Sequence, residues 1–191
     1  MLSSATDVKA SANNQQRMIK TLVKISLRYG AVAGILAFLL MLVMFYMGSH
    51  PMLVSPFLDF RILLFGVFMF FALREFRDYY QEGVLYYWQG LIGGLVVVFL
   101  ASGIAAVLLY LFALWEPKFA NIYIDQLTEY LRSFPAEDIE RIGKDVYQRN
   151  LNDLPSTNGK DLAQTYFMQG VVIGLFVNLI LSVILRRQPK S

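Results

Sequence analysis

The run from Gly83 to Trp115, GVLYYWQGLIGGLVVVFLASGIAAVLLYLFALW, contains no Asp, Glu, Lys, Arg or His. A hydrocarbon layer of about 30 Å takes roughly 20 apolar helical residues to cross, so this run is more than long enough to span a bilayer. Its surplus falls in Leu85-Tyr86-Tyr87-Trp88, whose amphipathic rings suit the headgroup region, which places the span at about 89–114. The sequence therefore predicts an all-α integral membrane protein.

Three further apolar segments extend this to a four-helix bundle. Residues 29–47 are uncharged, longer than the roughly 7–15 residue core of a signal peptide, and lack a small-x-small cleavage pattern, so they read as a retained first span. A second span is expected at 57–73, with Ser55 as N-cap and Pro56 in the first helical position. Its uncharged stretch, Ile62 to Leu73, covers only about 18 Å, so Phe57 to Arg61 must complete the crossing. Asp59 and Arg61 are then expected to snorkel at an interface, and two residues apart on a helix they do not share a face as an ion pair. Residues 162–185 form the fourth span, stopped by Arg186-Arg187.

The polar segments sort around these spans. Residues 1–16 are small and polar and read as a disordered tail. In 17–28, Arg17, Lys20, Lys24 and Arg28 alternate at helical spacing with Met18, Leu22 and Ile25, giving a basic amphipathic helix suited to anionic lipid. Residues 116–161 form an extracytoplasmic loop. Within it Phe119, Ile122, Tyr123, Leu127, Tyr130, Leu131 and Phe134 mark one amphipathic helix, and Ala136 to Gln148 reads as a second, before a turn at Leu154 to Gly159. Residues 186–191 are a short basic tail.

The N-terminal arm carries five Lys and Arg, the connection holding Arg74 and Arg77 two and the C-terminal tail three, against none in the first loop, while the six of the third loop are outweighed by nine Asp and Glu. Four spans put the first three of these segments on one side, and the positive-inside rule assigns it to the cytoplasm. The acidic excess of the third loop leaves it outside. The overall charge of +3 follows from this arrangement and implies no nucleic-acid partner.

Glycines four apart recur in three spans: Gly30 and Gly34, Gly90 and Gly94, Gly170 and Gly174, with Ala101 and Ala105 extending the row in the third. In lipid the hydrophobic effect does not drive helices together, so close approach at small residues supplies packing energy, and these residues mark helix contact faces, within the chain or in a homo-oligomer.

Candidate chemistry is sparse. The absence of Cys excludes a disulfide framework, a thiolate metal site and a cysteine nucleophile. His50 is the single histidine and reads as a solvent-exposed loop residue. Asp125, Glu129, Glu137, Asp138, Glu140 and Asp145 read as a solvated face without a calcium-loop pattern. Asn178, with Gln169 and Ser102, is a polar group at membrane depth, expected to face the bundle as an interhelical hydrogen bond. No catalytic residue, metal ligand, cofactor site or enzymatic motif is expected.

Tyr29-Gly30 with Gly34, the connection Arg74-Glu75-Phe76-Arg77-Asp78, Gly83, Gln89-Gly90, the segment around Pro117, and Gly170 with Gly174 before Leu185-Arg186-Arg187 resemble a domain-of-unknown-function family of small four-span bacterial membrane proteins typical of Bacteroidota. The resemblance covers about 25–188. It implies a helical inner-membrane protein with a long loop before its last span, and supplies no ligand or catalytic residue. The second span departs from the glycine pairing with Gly66 alone, and the stretch before Arg17 stands outside the family pattern. The sequence reading is thus a non-enzymatic assembly, scaffold or regulatory component in contact with membrane lipids and with a homo-oligomeric or membrane-protein partner. The alternative is a small-solute or ion transporter or channel using the polar bundle residues.

Overall fold

The computed structural model describes residues 2–48, 50–55 and 58–188. Seven α-helices run in the order α1 (Leu2–Tyr46), α2 (Phe60–Tyr80), α3 (Tyr87–Trp115), α4 (Lys118–Arg132), α5 (Ala136–Ile142), α6 (Lys144–Asp153) and α7 (Gly159–Ile184). Among the described residues there is no β-strand. A single antiparallel bridge joins Leu85 to Arg187, tying the α2–α3 connection to the segment leaving α7.

Among the described residues three helices are long and apolar enough to cross a membrane: α1 through Asn13–Tyr46, α3 and α7. Helix α2 is not among them, because Arg61, Arg74, Glu75, Arg77 and Asp78 shorten its uncharged stretch. It nevertheless packs with the other three. Helix α3 lies between α1 and α7, parallel to α1 and antiparallel to α7, and α2 closes the bundle against α1 and α7.

The start of the chain departs from the sequence reading. Residues 2–16, expected as a tail, continue α1 as helix, and the basic amphipathic segment and the first span belong to the same rod. No Gly or Pro interrupts the chain before Gly30, so nothing breaks propagation backward from the packed part of the helix. Leu22 and Ile25 are buried while Arg17, Lys20, Lys24 and Arg28 are exposed.

The start of the second helix also moves. Ser55 does not cap it; Asp59 is the N-cap, its carboxylate accepting from the Arg61 amide at 2.9 Å. Pro56 and Phe57 lie outside the described residues. In the third loop, the single helix expected at 136–148 is two, because Gly143 adopts φ +97°, a backbone conformation that favours glycine. Helix α7 starts three residues earlier than expected, at Gly159. Asn158 caps it through the Lys160 and Asp161 amides, and Asp161 reaches back to the Asn158 amide. Of the expected 186–191 tail, residues 186–188 are described.

The small residues let the rods approach. A Cβ on Gly34 would lie 2.8 Å from the Ala101 carbonyl oxygen, one on Gly30 3.1 Å from the Val97 carbonyl oxygen, and one on Gly90 3.0 Å from Ser182 Oγ. Gly174 seats Val98, while Ala101 and Ala105 are fully buried. These faces are occupied by neighbours in the same chain. The core has two parts. One, near the N-terminal half of α1, gathers Leu22, Phe65, Met69, Leu73, Phe76 and Val97; the other, at the opposite end, gathers Met41, Met52, Leu109, Phe112, Phe119 and Leu162. Facing outward are Val32, Ile35, Leu39 and Val43 of α1 and Val172, Phe176, Leu179, Ile180 and Val183 of α7. Such a large apolar exterior suits a lipid solvent.

Candidate functional site

At membrane depth a charge is costly unless it is paired, so the first place to look for function is where one is buried. Arg61 is 2% exposed and Asp59 8%. As an N-cap, Asp59 stands outside the helical ladder with extended backbone (φ −68°, ψ 119°), and its side chain folds back over the first turn. This removes the sequence argument against pairing, which holds for two residues inside a helix. Arg61 Nε donates to both carboxylate oxygens of Asp59, at 2.9 and 2.8 Å, and Nη2 donates to Oδ2 at 2.5 Å. The pair expected to snorkel is instead buried and bidentate.

The rest of the guanidinium is held by α7. Nη1 donates to the Tyr166 carbonyl oxygen at 2.9 Å, Nη2 donates to Gln169 Oε1 at 3.2 Å, and the Tyr166 ring lies under the cation with its centroid 4.1 Å from Cζ. Gly170 opens the space between Arg61 and α3: a Cβ there would meet Ser102 Oγ at 2.7 Å and Arg61 Nη1 at 3.5 Å. Ser102 and Gly170 stand near the midpoints of α3 and α7. Tyr166 lies roughly 10 Å along α7 from Gly159 at about 1.5 Å per residue. The ion pair therefore sits well inside the bundle, and α2 begins below the level at which α7 begins.

A cavity of about 280 Å³ opens beside the pair, lined by Val54, Asp59, Arg61, Met168, Gln169, Val172 and Ile173. One end is polar and the remaining wall is aliphatic or thioether. The Asp59 carboxylate accepts four hydrogen bonds, all from Arg61. The Gln169 amide nitrogen and one N–H of Nη1 remain as donors. Among the described residues four buried polar atoms lack a partner, and two of them, Ser102 Oγ and the Tyr166 hydroxyl, belong to residues flanking Arg61.

The sequence-predicted polar residues divide between two places. Gln169 and Ser102 stand at the ion pair. Asn178 is elsewhere, nearer the C-terminal end of α7, where Nδ2 donates to the Leu91 carbonyl oxygen at 3.0 Å and Oδ1 accepts from Ser182 Oγ at 3.1 Å. Gly94 faces it, and a Cβ at that position would collide with the amide.

His50 is a correction. Expected in solvent, it is 2% exposed, packed against Phe119 and Tyr123 of α4 and Phe45 of α1. Nδ1 accepts from the Met52 amide at 3.4 Å, which leaves Nε2–H to donate to the Phe119 carbonyl oxygen at 3.3 Å. Burial disfavours the charged ring and lowers its pKa to about 4. His50 thus fastens the α1–α2 loop to α4. At the opposite end, Glu75 accepts from Arg28 at 2.5 Å and from the Tyr29 hydroxyl at 2.8 Å, joining α2 to α1. No cluster of three or more His, Asp or Glu able to hold a metal occurs among the described residues.

Rods long and apolar enough for a bilayer, packed on small residues around a paired interior charge, define the class: a helical membrane protein. Residues 28–187 match the family described as protein of unknown function (DUF4199), and the chain belongs to that family. No curated protein and no solved structure matches it.

Proposed function

We propose that the chain is a four-span protein of a bacterial inner membrane with both termini in the cytoplasm, and that it serves without catalysis as a regulatory or assembly component of the cell envelope. The observation that carries this reading is the way α2 disposes of its charges. Arg61 is neutralised in the interior by Asp59, Arg74 and Arg77 pair with Asp78, and Glu75 is taken by Arg28. Between these pairs lies the uncharged stretch from Ile62 to Leu73, flanked by three span-length helices, so α2 can complete a crossing that its composition alone does not license. A carboxylate saturated by one guanidinium is poorly disposed to act as a general base, which favours a structural or binding role for the pair. Because the glycine faces are filled within the chain, a partner or second copy is expected to dock on other surfaces, foremost the acidic helices α4–α6. Exposed Arg17, Lys20 and Lys24 would hold the cytoplasmic end of α1 to anionic lipid. Co-purification in mild detergent tests the role: a stable partner or homo-oligomer is expected, and a strictly solitary monomer argues against it.

A small-solute transporter is favoured by one observation, the gathering of Ser102 and Gln169 at Arg61 near mid-height. Solute flux in proteoliposomes abolished by Asn178→Leu would support a path running the length of the bundle. Flux unaffected by that change would confine any path to the Arg61 end.

A further inference from the structure

We propose that the cavity between the start of α2 and the middle of α7 binds a neutral lipophilic molecule through a carbonyl acceptor, held by the Gln169 amide. The proposal rests on the membrane-spanning reading above.

The polarity of the ligand follows from the hydrogen-bond inventory. Asp59 and Arg61 cancel in charge, and all four bonds accepted by Asp59 come from its partner. An anion would meet a cation already neutralised, and a cation would meet a carboxylate already saturated. What the cavity offers is donors: two N–H groups on Gln169, whose Oε1 is engaged by Arg61 Nη2. Donors without formal charge select a neutral acceptor.

The apolar character follows from the wall. Val54, Met168, Val172 and Ile173 supply the remaining lining, and the methionine can reshape itself to different occupants. Met168 is 54% exposed and Val172 49%, so the mouth lies on the same side of α7 as the outward apolar residues Phe176 and Leu179. In a bilayer that side meets acyl chains, and a ligand enters by partitioning sideways from lipid. A volume of about 280 Å³ is near the lower end of the range for small-molecule sites, the scale of a ring-sized head group. Two sources share this chemistry, the ring of a lipophilic quinone and the ester of an acyl lipid.

The lack of cysteine makes the test direct, because Met168→Cys provides a single thiol at the mouth. The full chain is reconstituted in lipid nanodiscs and labelled with a lipophilic maleimide in the presence of duroquinone or its carbonyl-free skeleton durene, and of methyl laurate or its carbonyl-free counterpart tridecane; duroquinone carries no free ring position for thiol addition. Duroquinone or methyl laurate is expected to slow labelling, and whichever does so identifies the source. The matching hydrocarbon is expected to protect at least about tenfold less well, and adding Gln169→Leu to remove that difference. Protection by neither carbonyl compound, or equal protection by a protecting carbonyl compound and its hydrocarbon, overturns the proposal. Because Gln169→Leu leaves the Asp59–Arg61 pair intact, its elution profile and thermal midpoint confirm folding; unchanged carbonyl selectivity in that variant also overturns it. Incorporation into nanodiscs is scored separately. A chain that stays in the aqueous phase defeats the membrane reading itself, whereas one that incorporates and shows no protection defeats only the site.

Discussion

Asp59 and Arg61 illustrate how much one backbone torsion changes the meaning of a pair of residues. Removing one partner of a buried ion pair leaves the other charge uncompensated, at a cost of about 3–5 kcal/mol, whereas replacing both with apolar groups is often neutral. Asp59→Asn is therefore expected to lower the thermal midpoint in detergent sharply, and Asp59→Leu with Arg61→Met to recover most of it. A loss in the double variant equal to the sum of the losses in the two single variants would show that the pair has no coupling. His50 gives a pH prediction. Its folded-state pKa of about 4 lies below the unfolded value near 6.5, so between these limits the unfolded chain binds a proton that the folded chain does not. Stability of the α1–α2 loop is complete above about pH 6.5 and declines as pH falls toward 4. Hydrogen exchange of the Met52 and Leu53 amides should accelerate across that window, and His50→Phe should flatten the response.

Among the elements, the small-residue faces differ in how much room they leave, and that difference is measurable. A methyl group on Gly34 would press on backbone of α3, which cannot swing aside, whereas one on Gly66 would meet Val177 at 3.8 Å, an ordinary contact. Gly34→Ala is expected to destabilise by about 1–3 kcal/mol. Gly66→Ala is expected to be neutral or to stabilise by up to about 1 kcal/mol through helix propensity. Detergent melting curves of the two variants side by side distinguish packing glycines from incidental ones. Loss of the α7 cap in Asn158→Ala should cost about 1 kcal/mol by the same assay. The long spans are legible because their signals are local, uninterrupted apolar runs in α1, α3 and α7, whereas the helical start of α1 is not, since residues 2–16 carry little apolar periodicity and continue a helix nucleated further along. The start of α2 was not, since choosing between Ser55 and Asp59 as N-cap depends on where Arg61 can be buried, and that is decided by Tyr166 and Gln169 more than a hundred residues away. Tyr166 escaped notice for the same reason. A hydroxyl-bearing ring inside an apolar segment is a faint sign until a cation is seen above it. His50 likewise looked solvent-exposed because its ceiling, Phe119 and Tyr123, arrives from a helix after the third apolar run.

For the molecule as a whole, the bundle is fastened differently at its two ends. One end holds Arg28 with Glu75 and the backbone bridge from Leu85 to Arg187; the other holds His50 under α4. Between them the helices meet on small residues, with one ion pair at depth. The central claim is that α2 crosses the membrane alongside the three longer rods, which places the loop before it and the turn after it on opposite sides. Single cysteines at Ser55, Tyr79 and Glu137 in this cysteine-free chain, probed with a membrane-impermeant maleimide, test it directly. The account predicts labelling of Ser55→Cys and Glu137→Cys in spheroplasts, and of Tyr79→Cys only after permeabilisation. Labelling of Ser55→Cys and Tyr79→Cys from the same side would contradict it.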